Sequence, residues 1–185
     1  MGLVGFLLRA IRTPGLLLVL GLHCAACGEG TSPGGDVPDP DGSSPVVLNE
    51  LLASNDAVLA DEAGEFDDWL ELHNKSEAEV DLGGWLLSGG PRSAEEPFVL
   101  PAGTRIDAGG YLVVWADDDP EQGDLHTDFK LARVGETLVL YLSDGEAADS
   151  VTFPEQQADI SWARQPDASG EWQSSTSPSP GASND

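Results

Sequence analysis

Cysteine and histidine are almost missing: the 185 residues hold two Cys and three His. A Cys/His zinc site lacks its side chains, and His-dependent catalysis has little to work with. Cations are scarce as well, with 8 Lys and Arg against 33 Asp and Glu, a formal net charge of -25. Such a field repels phosphate backbones and anionic headgroups, which excludes nucleic acid as a partner and leaves a membrane reachable only through a covalent lipid. No apolar run reaches the roughly 20 residues of a spanning helix, and no segment keeps a long amphipathic helical period. What is present is 40% hydrophobic residues, with 5 Trp and 5 Phe. That is enough to bury a core and too much for a disordered acidic chain.

Residues 1–26 carry Arg9 and Arg12 and no acid, run apolar from Leu16 to Leu22 and end in Ala25-Ala26. This is the pattern of a signal peptide. Small residues directly before Cys27 resemble the lipobox of bacterial lipoproteins, with Cys24 standing where that pattern has Leu; the resemblance implies cleavage before Cys27 and lipid on that residue. Secretion without lipid uses the same leader, and mass spectrometry separates the two. Cys24-Ala-Ala-Cys27 also has redox spacing, but it closes a leader instead of opening a helix after a strand. N-myristoylation at Gly2 is excluded by Phe6. A leader cut before Cys27 leaves no second cysteine to pair with, so stability must come from packing.

Residues 27–45 read as an acidic Gly/Pro/Ser tether: prolines favour extended segments and like charges spread them. Asp39-Pro40-Asp41-Gly42 lacks the flanking acids of an EF-hand loop, since Val37 and Leu48 stand where acids are needed. Residues 46–185 then alternate short apolar runs with turn signals. The runs are 46–52, 69–73, 84–87, 98–100, 111–116, 137–142 and 149–153, with weaker ones at 125–131 and 160–164. Asn74-Lys75-Ser76 can form an Asx-turn, Gly103 and Gly109-Gly110 supply positive φ, and Asp144-Gly145 signals a hairpin. Seven to nine strands at this spacing predict an all-β sandwich or barrel.

The order of segments resembles the lamin tail domain. FDDWLELHNKSEAEVDLGGWLLS (66–88) is similar to that family's signature of strand, Asn-containing turn and hydrophobic-Gly-Gly-Trp. FVLPAGTRIDAGGYLVVWA (98–116) and GETLVLYLSDGEAADSV (135–151) resemble its next two hairpins. The ending Pro180-Gly181-Ala182-Ser183-Asn184 is similar to the close of bacterial members. The resemblance implies an immunoglobulin-like β-sandwich with a binding or anchoring role and no catalytic mechanism. No heptads precede the domain in these residues, so a nuclear-lamina role is not expected. Trp69, Trp85 and Trp115 lie in apolar strands and are expected in the core; Trp162 and Trp172 are expected to cover a sheet edge. Gly83 and Gly84 are read as a tight turn before Trp85.

Two acidic segments are candidates for calcium, because converging carboxylates suit a hard cation. One offers Asp61, Glu62, Asp67 and Asp68, the other Asp117, Asp118 and Asp119. Solvated loops of an acidic chain look the same. Carboxylate pairs for glycoside hydrolysis are uninformative among so many acids, and no G-x-S-x-G is present. His73 and His126 form no metal motif. His126-Thr127-Asp128 hints at a metal or a base pair, although a strand-edge role accounts for it.

The sequence therefore predicts a non-enzymatic, extracytoplasmic module, lipid-anchored at Cys27 or secreted, whose sandwich binds an envelope or extracellular protein or glycan. A calcium-binding adhesion or structural protein of the same fold is the second expectation. A small hydrolase using Asp67, Asp68 and Glu71 is the remote third.

Overall fold

The computed structural model describes residues 43–89 and 96–184. The expected leader, Cys27 and most of the expected tether lie outside the described residues.

The described chain is all-β. β1 (Val46–Leu52), β2 (Trp69–Asn74), β7 (Tyr111–Trp115), β10 (Ser161–Gln165) and β11 (Glu171–Ser175) form a five-stranded sheet in the order β11-β10-β1-β2-β7. β4 (Leu86–Gly89), β5 (Phe98–Val99), β8 (Glu136–Tyr141) and β9 (Ala147–Phe153) form a second sheet in the order β5-β4-β8-β9. β3 (Val80–Asp81) and β6 (Arg105–Ile106) make a short ribbon. All pairings between these strands are antiparallel. This is the sandwich that the spacing and the resemblance predict.

Period-two alternation puts Leu48, Leu70, Leu72 and Val114 of the first sheet against Leu87, Leu138, Leu140 and Phe153 of the second, in one buried cluster. Burying each such side chain contributes about 1.5–3 kcal/mol. The three tryptophans expected inside are buried, but not in one layer. Trp85 joins the cluster between the sheets, whereas Trp69 and its cross-strand neighbour Trp115 pack with Leu52 on the opposite face. There Val58 and Leu59 of the β1–β2 loop cover them. β2 is consequently buried along its whole length.

Local chemistry explains the turns. Asn74 Oδ1 accepts the Ser76 N–H at 3.0 Å, closing the expected Asx-turn. Before Trp85, Gly84 sits at φ 85°, which favours glycine, and a Cβ on Gly83 would crowd the Ala102 backbone at 3.1 Å.

Four features depart from expectation. The described residues hold eleven strands, not seven to nine, in part because the short β3–β6 ribbon falls outside the apolar runs. Residues 125–131 form no strand, only isolated bridges at Trp115↔His126 and Asp117↔Lys130. The Thr127 hydroxyl bonds the Phe129 carbonyl at 2.9 Å and turns the chain away from an extended ladder. β11, absent from the expectation, is polar and mostly exposed, which removes its apolar alternation. Trp162 and Trp172 accordingly sit within β10 and β11, half-buried against the core, with the Arg164 guanidinium 5.0 Å from the Trp172 ring.

Candidate functional site

The β1–β2 loop and the loop after β7 meet through Gln122 and His126, and the acids that converge are those of the β1–β2 loop. Ligand oxygens of Asp61, Glu65 and Asp67 lie within 4.8 Å of one another. Asp61 Oδ1 accepts the N–H groups of Ala63 at 2.9 Å and Glu65 at 2.8 Å, which shapes the loop. Its Oδ2 is buried with no hydrogen-bond partner among the described residues, and so is Oε1 of Gln122. Gln122 reaches across from the second loop, donating from Nε2 to Glu65 Oε2 at 2.8 Å and Asp119 Oδ2 at 3.1 Å. The donor set is all oxygen, the chemistry of a hard cation.

The remaining calcium candidates do other work. Glu62 and Asp117 grip His126 from two sides: Asp117 Oδ2 hydrogen-bonds the buried Nδ1, and Glu62 Oε1 lies 3.2 Å from Nε2. Trp115 stacks on the ring at 6.1 Å between centroids. A carboxyl oxygen beside each ring nitrogen favours the protonated imidazolium. Burial alone lowers His126, but Asp117 and Glu62 outweigh it and raise its pKa above the usual 6.5. The partner of His126 is thus Asp117, not the neighbouring Asp128. Asp68 is set apart, its carboxyl pushed up to about 6, chiefly by burial. Asp118 is exposed at φ 58°.

A second site lies on the face of the five-stranded sheet turned away from the core. β1 and β2 change register between Leu48↔Leu72 and Glu50↔Glu71, which leaves Asn49 as the extra residue of a bulge and sets Glu50 directly opposite Glu71. Both glutamates are buried, at 1% and 0% exposure. Like charges in that position repel, and burial pushes Glu71 up to about 7 and raises Glu50. Their donors are neutral. Glu50 takes the Ser161 hydroxyl and the Ser179 N–H, the latter at 3.1 Å from Oε2. Glu71 takes the Gly181 N–H at 2.6 Å and Asn49 Nδ2 at 3.1 Å. Asp167 completes the cradle, accepting from Tyr111 Oη at 2.6 Å, Asn49 Nδ2 at 3.0 Å and the Asn184 N–H at 3.0 Å. Burial alone raises Asp167, but these hydrogen bonds hold it low; the phenol of Tyr111 is pushed up to about 12 by burial and by that carboxylate.

The lamin tail domain family model matches residues 40–155, which take in β1 to β9, both acidic loops and the Glu50–Glu71 pair. The chain belongs to the lamin tail domain family. No curated protein matches it. β10, β11 and the segment that fills the cradle lie beyond the matched residues, so this lamin tail domain closes its sheet with chain outside the matched stretch.

Sequence reading singles out both acidic segments; of its calcium candidates only Asp61 and Asp67 converge, with Glu65, and the reading neither joins the two loops nor finds the cradle. A signal for the cradle was present: Glu50 and Glu71 each interrupt an apolar strand, VVLNELL and WLELHN. A carboxylate in such a run needs a partner from elsewhere in the chain. Glu71 does not join Asp67 and Asp68 in a cleft. It is fully buried beneath Gly181, whereas Asp67 faces Asp61 and Glu65.

Proposed function

We propose that this lamin tail domain serves as a non-catalytic binding or anchoring module outside the cytoplasm, cleaved before Cys27, lipidated there and held off the membrane by residues 28–45. Its partner is an envelope or extracellular protein or glycan. The observation that carries the non-catalytic part is the family match; consistent with it, the most deeply buried carboxylates of the described residues, Glu50 and Glu71, are committed to holding a segment of the same chain. The leader composition and the Ala25-Ala26-Cys27 sequence support the anchoring part. The test is intact mass and membrane partition of the protein expressed with its own leader, beside Cys27→Ala. A membrane-bound wild type carrying a diacylglyceryl mass that the variant lacks supports the proposal; two soluble, unlipidated proteins overturn its anchor.

A second reading, a sandwich whose loops are ordered by calcium, is favoured by two buried oxygens without partners among the described residues, Asp61 Oδ2 and Gln122 Oε1, beside Glu65 and Asp67. Calcium bound only by the folded state at about 100 times its dissociation constant stabilises by about 2.7 kcal/mol. The melting temperature is then expected to rise with calcium and fall with a chelator in wild type, and to stay unchanged in Asp61→Asn/Asp67→Asn. Equal melting of the wild type with and without the ion rejects this reading.

A further inference from the structure

The segment that fills the cradle has the features of a bound ligand. Residues 177–184 form no strand, and of them only Asn184 is buried. The segment adds no apolar side chain to the core clusters. It is held through main-chain donors and the side chains of Ser179, Ser183 and Asn184. Ser179 N–H meets Glu50, Gly181 N–H meets Glu71 and Asn184 N–H meets Asp167. Asn184 Nδ2 caps two strand carbonyls, Asn49 O at 3.1 Å and Arg164 O at 3.0 Å, and its Oδ1 accepts from the Ser179 hydroxyl at 2.8 Å. The receptor side is the reverse: Glu50, Glu71 and Asn49 are buried, fixed on β1 and β2, and Tyr111 and Asp167 brace them from β7 and the β10–β11 turn. Two opposed buried glutamates cost stability unless donors arrive. The surface-laid segment brings the N–H groups that offset the cost.

We propose that the Glu50–Glu71–Asp167 cradle is a polypeptide-binding site, occupied in cis by residues 177–184 and open to the same kind of segment in trans. Its ligand is a short peptide with free N–H groups two residues apart, a glycine at the second of them and an Asn three residues later. Gly181 adopts φ 79°, which favours glycine at that position. Main-chain recognition supplemented by a few side chains is how extended peptides are read elsewhere. A segment with few buried apolar contacts opens locally before the domain unfolds. The site gives the binding role proposed above a location, and its failure would leave the lipid anchor untouched.

The test uses the full chain. A labelled peptide of residues 176–184 is titrated into a G181P/N184A variant, whose own segment can no longer donate to Glu71 or to the strand carbonyls. The expected result is saturable binding to the variant, at least about ten-fold weaker to wild type, where the tethered segment competes at high effective concentration. A peptide carrying the same two substitutions is expected not to bind. Equal binding of both peptides, or no binding by a variant with the wild-type circular dichroism spectrum, overturns the proposal. Light scattering of wild type mixed with the variant separates the sources: a mixed complex dissolved by excess peptide marks the segment of a second copy, and peptide binding by a variant that forms no such complex marks a separate polypeptide. Where the variant does not fold, amide exchange of the wild type decides. Ser179, Gly181 and Asn184 are expected to exchange at least about ten-fold faster than Leu70 and Leu72, and exchange at the rate of those core amides overturns the proposal.

Discussion

At the residue scale, buried charge sets how this protein responds to pH. Glu71, Glu50 and Asp68 are raised by burial, Glu71 to about 7 and Asp68 to about 6. Each holds its proton more tightly folded than unfolded. Its contribution to stability is complete below the unfolded value and is lost as pH rises through the folded one. His126 has the same sign, because its folded value also lies above its unfolded one. Asp167, held low, contributes above its unfolded value, and that contribution is lost as pH falls through its folded pKa. The thermal midpoint followed by circular dichroism is therefore expected to fall between about pH 5 and about pH 8, with Glu71 responsible for a loss of about 3 kcal/mol. Glu71→Gln should flatten that slope. A midpoint rising over this range, or an unchanged slope in the variant, contradicts the assignment.

At the element scale, the turn after β2 does more than reverse the chain. Asn74 is fully buried, and its Nδ2 faces the carbonyls of Ala78 at 2.7 Å, Ile106 at 3.0 Å and Asp107 at 3.0 Å, tying β2 to the β3–β6 ribbon. Asn74→Ala leaves those acceptors unpaired and is expected to destabilise by about 2–3 kcal/mol, read as a lower urea midpoint with an unchanged slope. A shift below about 0.5 kcal/mol would show that water replaces the side chain. The turn was legible because Asn-x-Ser acts within three residues. β11 was not, because an exposed edge strand such as Glu171–Ser175 keeps no apolar period to read. The stretch 125–131 misled in the opposite way. Its alternation is real, but His126 is drawn inward by Asp117 and the chain turns before a ladder can form.

At the scale of the whole molecule, the net charge of -25 opposes compaction. Self-repulsion of this kind is long-ranged and yields to ionic screening. The melting temperature is expected to rise as sodium chloride increases from about 0.02 M to about 0.5 M, where the Debye length falls below about 5 Å. Choline chloride should do the same. A rise with sodium alone would point to a bound ion, and no rise with either salt would show that the charges are already locally balanced.

The residue pattern alone sufficed for the all-β class, the hairpin turns, the buried tryptophans and the family, because alternation and turn chemistry act over a few neighbouring residues. The meeting of the two acidic loops, the grip of Asp117 and Glu62 on His126, and the cradle depended on folding. Glu50 meets Ser179 across 129 residues and Glu71 meets Gly181 across 110. What brings them together is a one-residue bulge at Asn49, which sets two glutamates side by side on the outer face of a sheet. A bulge is a property of two paired strands, and neither strand carries it before they pair.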